Sequence, residues 1–113
     1  MSIHSMQRKV TVGIFLSAAL FVLGVPVRGQ DPGAALFKTK CAACHGPDGK
    51  GETAMGKANK LRDLSSPEVQ KQSDAELTII IENGKGKMPA YGKSLKPEQV
   101  KDLVGYIRSL GKK

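Results

Sequence analysis

An all-α domain of three to five helices is what this 113-residue sequence predicts, and three observations predict it. Helix ends are written into the chain at Asp31-Pro32, at Ser73 with Glu76, at Asn83-Gly84 and at Pro97. These are N-caps, a capping box, a glycine stop and a proline start. Val100, Leu103, Val104, Ile107 and Leu110 recur at helical spacing and form one amphipathic stripe. The β-branched run Thr78-Ile79-Ile80-Ile81 has strand propensity, but a capping box precedes it and a glycine stop follows it, which favours helix.

The elements follow in order. Residues 1–9 carry Arg8 and Lys9 and no acid, and residues 10–25 are sixteen uncharged, mostly apolar residues. Pro26 and the small-residue pattern Val27-Arg28-Gly29 follow. This is the pattern of a secretory signal peptide cut after Gly29. The competing reading is an uncleaved anchor, for which sixteen residues fall short of the ~20 a span needs. There is no cysteine at the cut, so a lipoprotein is excluded. Residues 30–113 form the one expected domain.

Its first helix is predicted from Asp31 to about Ala43, with Gly33, Leu36, Phe37 and Cys41 on one stripe. Residues 46–57, GPDGKGETAMGK, read as glycine-rich irregular loop. A phosphate loop is disfavoured, since no strand precedes it and no Gly-Lys-Ser/Thr ends it. Ser65-Ser66-Pro67-Glu68 starts a short helix, Ser73 starts another that stops at Asn83-Gly84, and residues 84–94 are loop. Pro97 opens the last helix.

Chemistry concentrates in Cys41-Ala42-Ala43-Cys44-His45, which holds both cysteines of the chain and one of its two histidines. The C-x-x-C-H spacing is the attachment signature of a c-type haem. Two intervening residues put the sulfurs about one helical turn apart, where they can form thioethers along one porphyrin edge. The next residue, His45, then supplies an axial imidazole. A thioredoxin-type disulfide wants a βαβ pattern, and none is visible. A closed structural zinc site wants four ligands, and no second Cys/His pair follows.

Composition and export bear on that cofactor. An exported C-x-x-C pair would otherwise oxidise to a disulfide. Removing the leader takes Arg8, Lys9 and Arg28 and leaves 15 basic against 10 acidic residues, net +5, in an 84-residue domain. A core that small gains from the apolar mass of a haem, so the apo chain is expected to fold poorly. The lysines are scattered and lack aromatic partners, which argues against nucleic acid. They suit a solvated surface or steering toward an acidic redox partner.

One axial position remains. His4 leaves with the leader, and the mature chain keeps Met55 and Met88. Chain reach does not choose between them. Met88 lies in a loop between helices, before Pro89, which biases it to extended backbone. A loop methionine that fills a core gap or stays on the surface is the competing reading.

Over nearly all of residues 31–111 the sequence resembles class I cytochromes c of the small bacterial monohaem kind. The resemblance rests on Cys41 to Gly51 (CAACHGPDGKG), Gly84 to Tyr91 (GKGKMPAY) and Leu103 to Leu110 (LVGYIRSL). It implies the cytochrome c fold, with N- and C-terminal helices crossing around one covalently bound haem c. It implies Cys41 and Cys44 as thioether residues and His45 and Met88 as the axial iron ligands. It also matches Gly33 and Phe37 to Leu103 and Tyr106 at the helix crossing. One departure stands out: many members place a proline about a dozen residues after the histidine, to accept its N–H. Here that region is Ala54-Met55-Gly56-Lys57. Lys60 and Arg62 are the candidates for the haem propionates.

The implied activity is that of a periplasmic, monomeric electron carrier cycling Fe(III)/Fe(II), with no substrate turnover and no catalytic residues. Lys85 and Lys87, beside Met88, would face an acidic redox partner, and a membrane would be met only through an uncleaved leader or a membrane-bound partner. The alternatives are a haem subunit or sensor within a larger redox complex, or a haem enzyme with an open distal site.

Overall fold

Residues 31–113, with the isolated positions 13, 19 and 24, are described in the structure, a computed structural model. The reading of residues 1–29 as a leader lies outside the described residues.

Asp31 Oδ1 accepts the Gly33 amide at 2.9 Å, and Pro32 takes the first helical position, which starts α1, Pro32–Lys40. The helix does not run on to Ala43 as expected. At Cys41 the backbone turns (φ −119°, ψ −32°), and a separate turn, α2, Ala42–His45, carries the rest of the C-x-x-C-H segment.

A second difference lies in the glycine-rich stretch. Residues 54–58 form α3, Ala54–Ala58, because Thr53 caps it: its Oγ1 accepts the Gly56 amide at 2.8 Å. The same hydroxyl donates to the Cys44 carbonyl at 2.5 Å, so α3 is tied to α2. A side chain on Gly56 would overlap the Gly51 carbonyl, and this close approach is open only to glycine.

The remaining elements begin where the sequence predicts. Ser66 caps α4, Pro67–Gln70. Ser73 and Glu76 form the reciprocal capping box of α5, Asp74–Asn83, which stops at Gly84 with φ +73°. Pro97 opens α6, Pro97–Leu110, and Gln99 Oε1 accepts the Lys96 amide at 2.8 Å. The described residues thus hold six helical segments and no strand. The count exceeds the expected three to five because Cys41 breaks the first helix and Thr53 caps an extra one.

α1 crosses α6, as the resemblance implied. Gly33 makes the crossing possible, since a Cβ there would overlap the Asp102 carbonyl oxygen and lie 3.0 Å from Tyr106 Cβ. One turn further on, the Phe37 and Tyr106 rings meet at 5.0 Å and 48°. Phe37, Val69, Val100 and Leu103 are fully buried, and Leu77 and Ile81 of α5 close the core against α6.

Arg108 bolts α6 to the link between α4 and α5. Its Nη1 donates to the Gln70 carbonyl at 2.7 Å, its Nη2 to the Gln72 carbonyl, and its Nε to Asp74 at 2.9 Å. Gln70 adds bonds from its Nε2 to the carbonyls of Leu64 and Ile107. A cleft lies between α2 and α5, lined on one side by Cys41 and His45 and on the other by Leu77, Ile80 and Ile81.

Candidate functional site

The cleft has two adjoining chambers of about 290 and 370 Å³. Cys41, His45, Met88 and Tyr91 line both, so the chambers share a wall. The deeper chamber is apolar, walled by Phe37, Leu77, Ile81 and Leu103 among others. The shallower one opens beside Cys44, with Lys40, Lys85 and Lys87 around it.

One wall is α2. Cys41 and Cys44 are free thiols, each half-buried. Burial, with Cys44 adding, pushes the Cys41 thiol up to about 11. Little Cys41 thiolate therefore forms near neutral pH, and the bare Cys41 thiol is a poor nucleophile. His45 is half-buried and its pKa is lowered by desolvation, so the imidazole is neutral and its nitrogen lone pair is available to a metal. Its ring sits 6.4 Å from that of Phe37.

His45 Nδ1 is buried and has no hydrogen-bond partner among the described residues. The missing proline has a counterpart here. The carbonyls of Thr53, Met55, Gly56 and Lys57 are each taken by later backbone amides, which is what forming α3 entails. No three His, Cys, Asp or Glu side chains among the described residues converge as a metal ion held by protein alone would require.

The other wall is the loop after α5. Lys85 and Met88 exchange backbone hydrogen bonds (3.3 and 3.0 Å) across a two-residue turn in which Gly86 has φ +58°. Gly84 packs so tightly on the Met88 carbonyl that a side chain there would overlap it. Met88 is half-buried against the core, whereas Met55 is 54% exposed and lines only the shallower chamber.

Lys60 and Arg62 both line the deeper chamber, Arg62 in an ion pair with Glu68 at 3.3 Å. Three polar lining residues carried no role in the sequence reading: Asn59, Gln72 and Tyr91. Gln72 presents a buried, unpartnered Oε1. Tyr91 donates from its hydroxyl to the Lys40 carbonyl at 3.0 Å. Its place three residues after Met88 was the available signal.

An apolar cleft with two thiols and a neutral, partnerless imidazole on one wall and a thioether sulfur on another suits an iron porphyrin. The residues present therefore fit a haem. All-helical domains built around such a cleft are those of the c-type cytochromes.

The chain belongs to the cytochrome c family: the family model described as "Cytochrome C oxidase, cbb3-type, subunit III" matches residues 29–107. Members bind covalent haem c. The cytochrome c6 of Nostoc sp. is 36% identical over 111 residues, 94% of this chain and 95% of that one. The cbb3-type cytochrome c oxidase subunit FixP of Azorhizobium caulinodans is 38% identical over 80 residues, 70% of this chain. The chain spans only about a quarter of that subunit's length, 26%. Among solved structures, the KustC0563 c-type cytochrome matches with TM-score 0.65 and 34% identity, over 69% of this chain and 95% of that one.

Proposed function

We propose that this chain is an exported electron carrier. Cys41 and Cys44 hold one haem c by thioethers, and His45 and Met88 are its axial ligands. When bound, the haem supplies a one-electron Fe(III)/Fe(II) couple. The observation that carries the proposal is that His45 and Met88, from two distant segments, line the same apolar cleft. With His45 and Met88 both holding the iron, oxygen and peroxide binding would be disfavoured, and the thioether sulfur would raise the potential.

The residues of the chain do the rest. Phe37, Leu77, Ile81 and Leu103 keep water from the deeper chamber, which lowers the reorganisation that accompanies a change of charge. Lys40, Lys85 and Lys87 give the shallower mouth a positive rim suited to a brief encounter with an acidic partner. Export follows the leader reading, with cleavage after Gly29 and a periplasmic destination. No helix among the described residues is long and apolar enough to cross a membrane.

The test is the optical spectrum of the oxidised holoprotein. A weak far-red sulfur-to-iron band is expected, lost in Met88→Ala and kept in Met55→Ala. Retention of the band in Met88→Ala refutes the ligand assignment. For docking, electron transfer to the physiological partner should slow as salt rises, and salt-independent rates refute the charged rim.

A second reading has its own support. The match to the cbb3-type subunit family favours a haem-bearing part of a larger oxidase assembly. Size-exclusion of native extract separates the two. A monomer-sized haem peak supports the carrier, and co-elution with an oxidase supports the subunit.

A further inference from the structure

The break at Cys41 strands a backbone acceptor. In an uninterrupted helix the Lys40 carbonyl would take the Cys44 amide. Here the amides of Cys44 and His45 both turn to the Cys41 carbonyl, at 3.2 and 2.9 Å. The Lys40 carbonyl instead accepts the Tyr91 hydroxyl at 3.0 Å, across 51 positions of sequence.

Tyr91 is itself anchored at its backbone. Its amide donates to the Ile81 carbonyl at 3.0 Å, in the last turns of α5, and its carbonyl accepts the amides of Ser94 and Leu95. One residue thus ties together α5, the Met88 loop and the segment bearing Cys41 and His45. Lys85, Gly86, Lys87, Pro89 and Ala90 of that loop are exposed, which makes it the piece of this wall most easily opened. Among the described residues, no other side-chain hydrogen bond links residues 84–94 to residues 40–45.

We propose that Tyr91 is a positioning residue that latches the Met88 loop onto the Cys41–His45 segment and so denies external ligands access to the iron. The proposal rests on the reading of Met88 as the distal ligand. The loop opens when the hydroxyl leaves the Lys40 carbonyl, and Met88 moves with it.

The test is imidazole titration of the ferric holoprotein, followed by its far-red sulfur–iron band. Tyr91→Phe keeps the ring and removes only the hydrogen bond. One net hydrogen bond is equivalent to about a fivefold change in the opening equilibrium, so Tyr91→Phe should bind imidazole about fivefold more tightly. Asp31→Ala serves as the contrast: it removes the N-cap of α1, at a position that lines neither chamber, and should leave imidazole affinity at the wild-type value. Unchanged affinity in Tyr91→Phe, or an equal rise in Asp31→Ala, overturns the latch. Absence of the sulfur–iron band from the wild type instead overturns the Met88 assignment on which the latch rests.

Discussion

Replacing Gly33 by alanine sets two effects of known size against each other. Alanine is the better helix former and restricts the unfolded chain, which together favour the variant by up to about 1 kcal/mol. Against this, the added Cβ overlaps the carbonyl oxygen of Asp102 and lies 2.8 Å from its carbonyl carbon. The obstacle is helix backbone, so no rotamer change relieves it. α1 and α6 must separate, which pulls apart the Phe37 and Tyr106 rings now 5.0 Å apart. Overpacking of this kind costs about 1–3 kcal/mol, and here it should win by about 1–2. For a domain of this size that lowers Tm by roughly 5–15 °C. Gly105→Ala is the matched opposite. Gly105 lies in α6, is exposed, and its Cβ would meet nothing within 4 Å. Only the propensity gain remains, so Tm should rise by a few degrees. Thermal melts of the ferric holoproteins by circular dichroism read both. A Gly33→Ala protein that melts at or above the wild type would show that the crossing tolerates a methyl group, and the account of the α1–α6 contact would fall.

Four further outcomes are expected. Arg108→Gln should lower the guanidinium midpoint by the equivalent of about 1–3 kcal/mol, since the carbonyls of Gln70 and Gln72 lose a charged donor. Asp74→Asn should cost less than about 0.5 kcal/mol, because that carboxylate is exposed. Thr53→Val keeps the shape but loses both the cap on Gly56 and the bond to Cys44, so denaturation should show a loss of about 1–2 kcal/mol. Asp63 accepts from the Ser65 hydroxyl and amide, which hold its carboxyl below the ordinary 3.8. Its contribution is therefore present above that value and fades as pH falls through the lower folded value. Asp63→Asn should flatten the acid limb of midpoints measured between about pH 2 and 5, and an unaltered limb would remove Asp63 from the account.

Most helix ends were legible because they depend on a few adjacent residues. Asp31-Pro32, Ser73 with Glu76, Asn83-Gly84 and Pro97 each act through a local hydrogen bond or a restricted φ, and each marks an observed boundary. Two differences remain. α3 has a local cap, Thr53 on the Gly56 amide, that its glycines obscured, and only its tie to the Cys44 carbonyl nine residues back is non-local. The break at Cys41 frees a carbonyl whose partner, Tyr91, lies half the chain away. Local periodicity carries no record of either contact.

The sequence by itself determined the cofactor class and the candidate residues, because Cys41, Cys44 and His45 must be close in sequence to serve one porphyrin edge and one iron. It also determined the helical class and the stripe on α6, through spacing alone. Only the tertiary structure decided which methionine shares both chambers of the cleft with His45, since chain length permits either. It also left His45 Nδ1 buried without a hydrogen-bond partner among the described residues, while the carbonyls of the stretch where a proline was expected accept later backbone amides. Backbone acceptors are allotted once the helices have formed, and that allotment is a property of the packed chain.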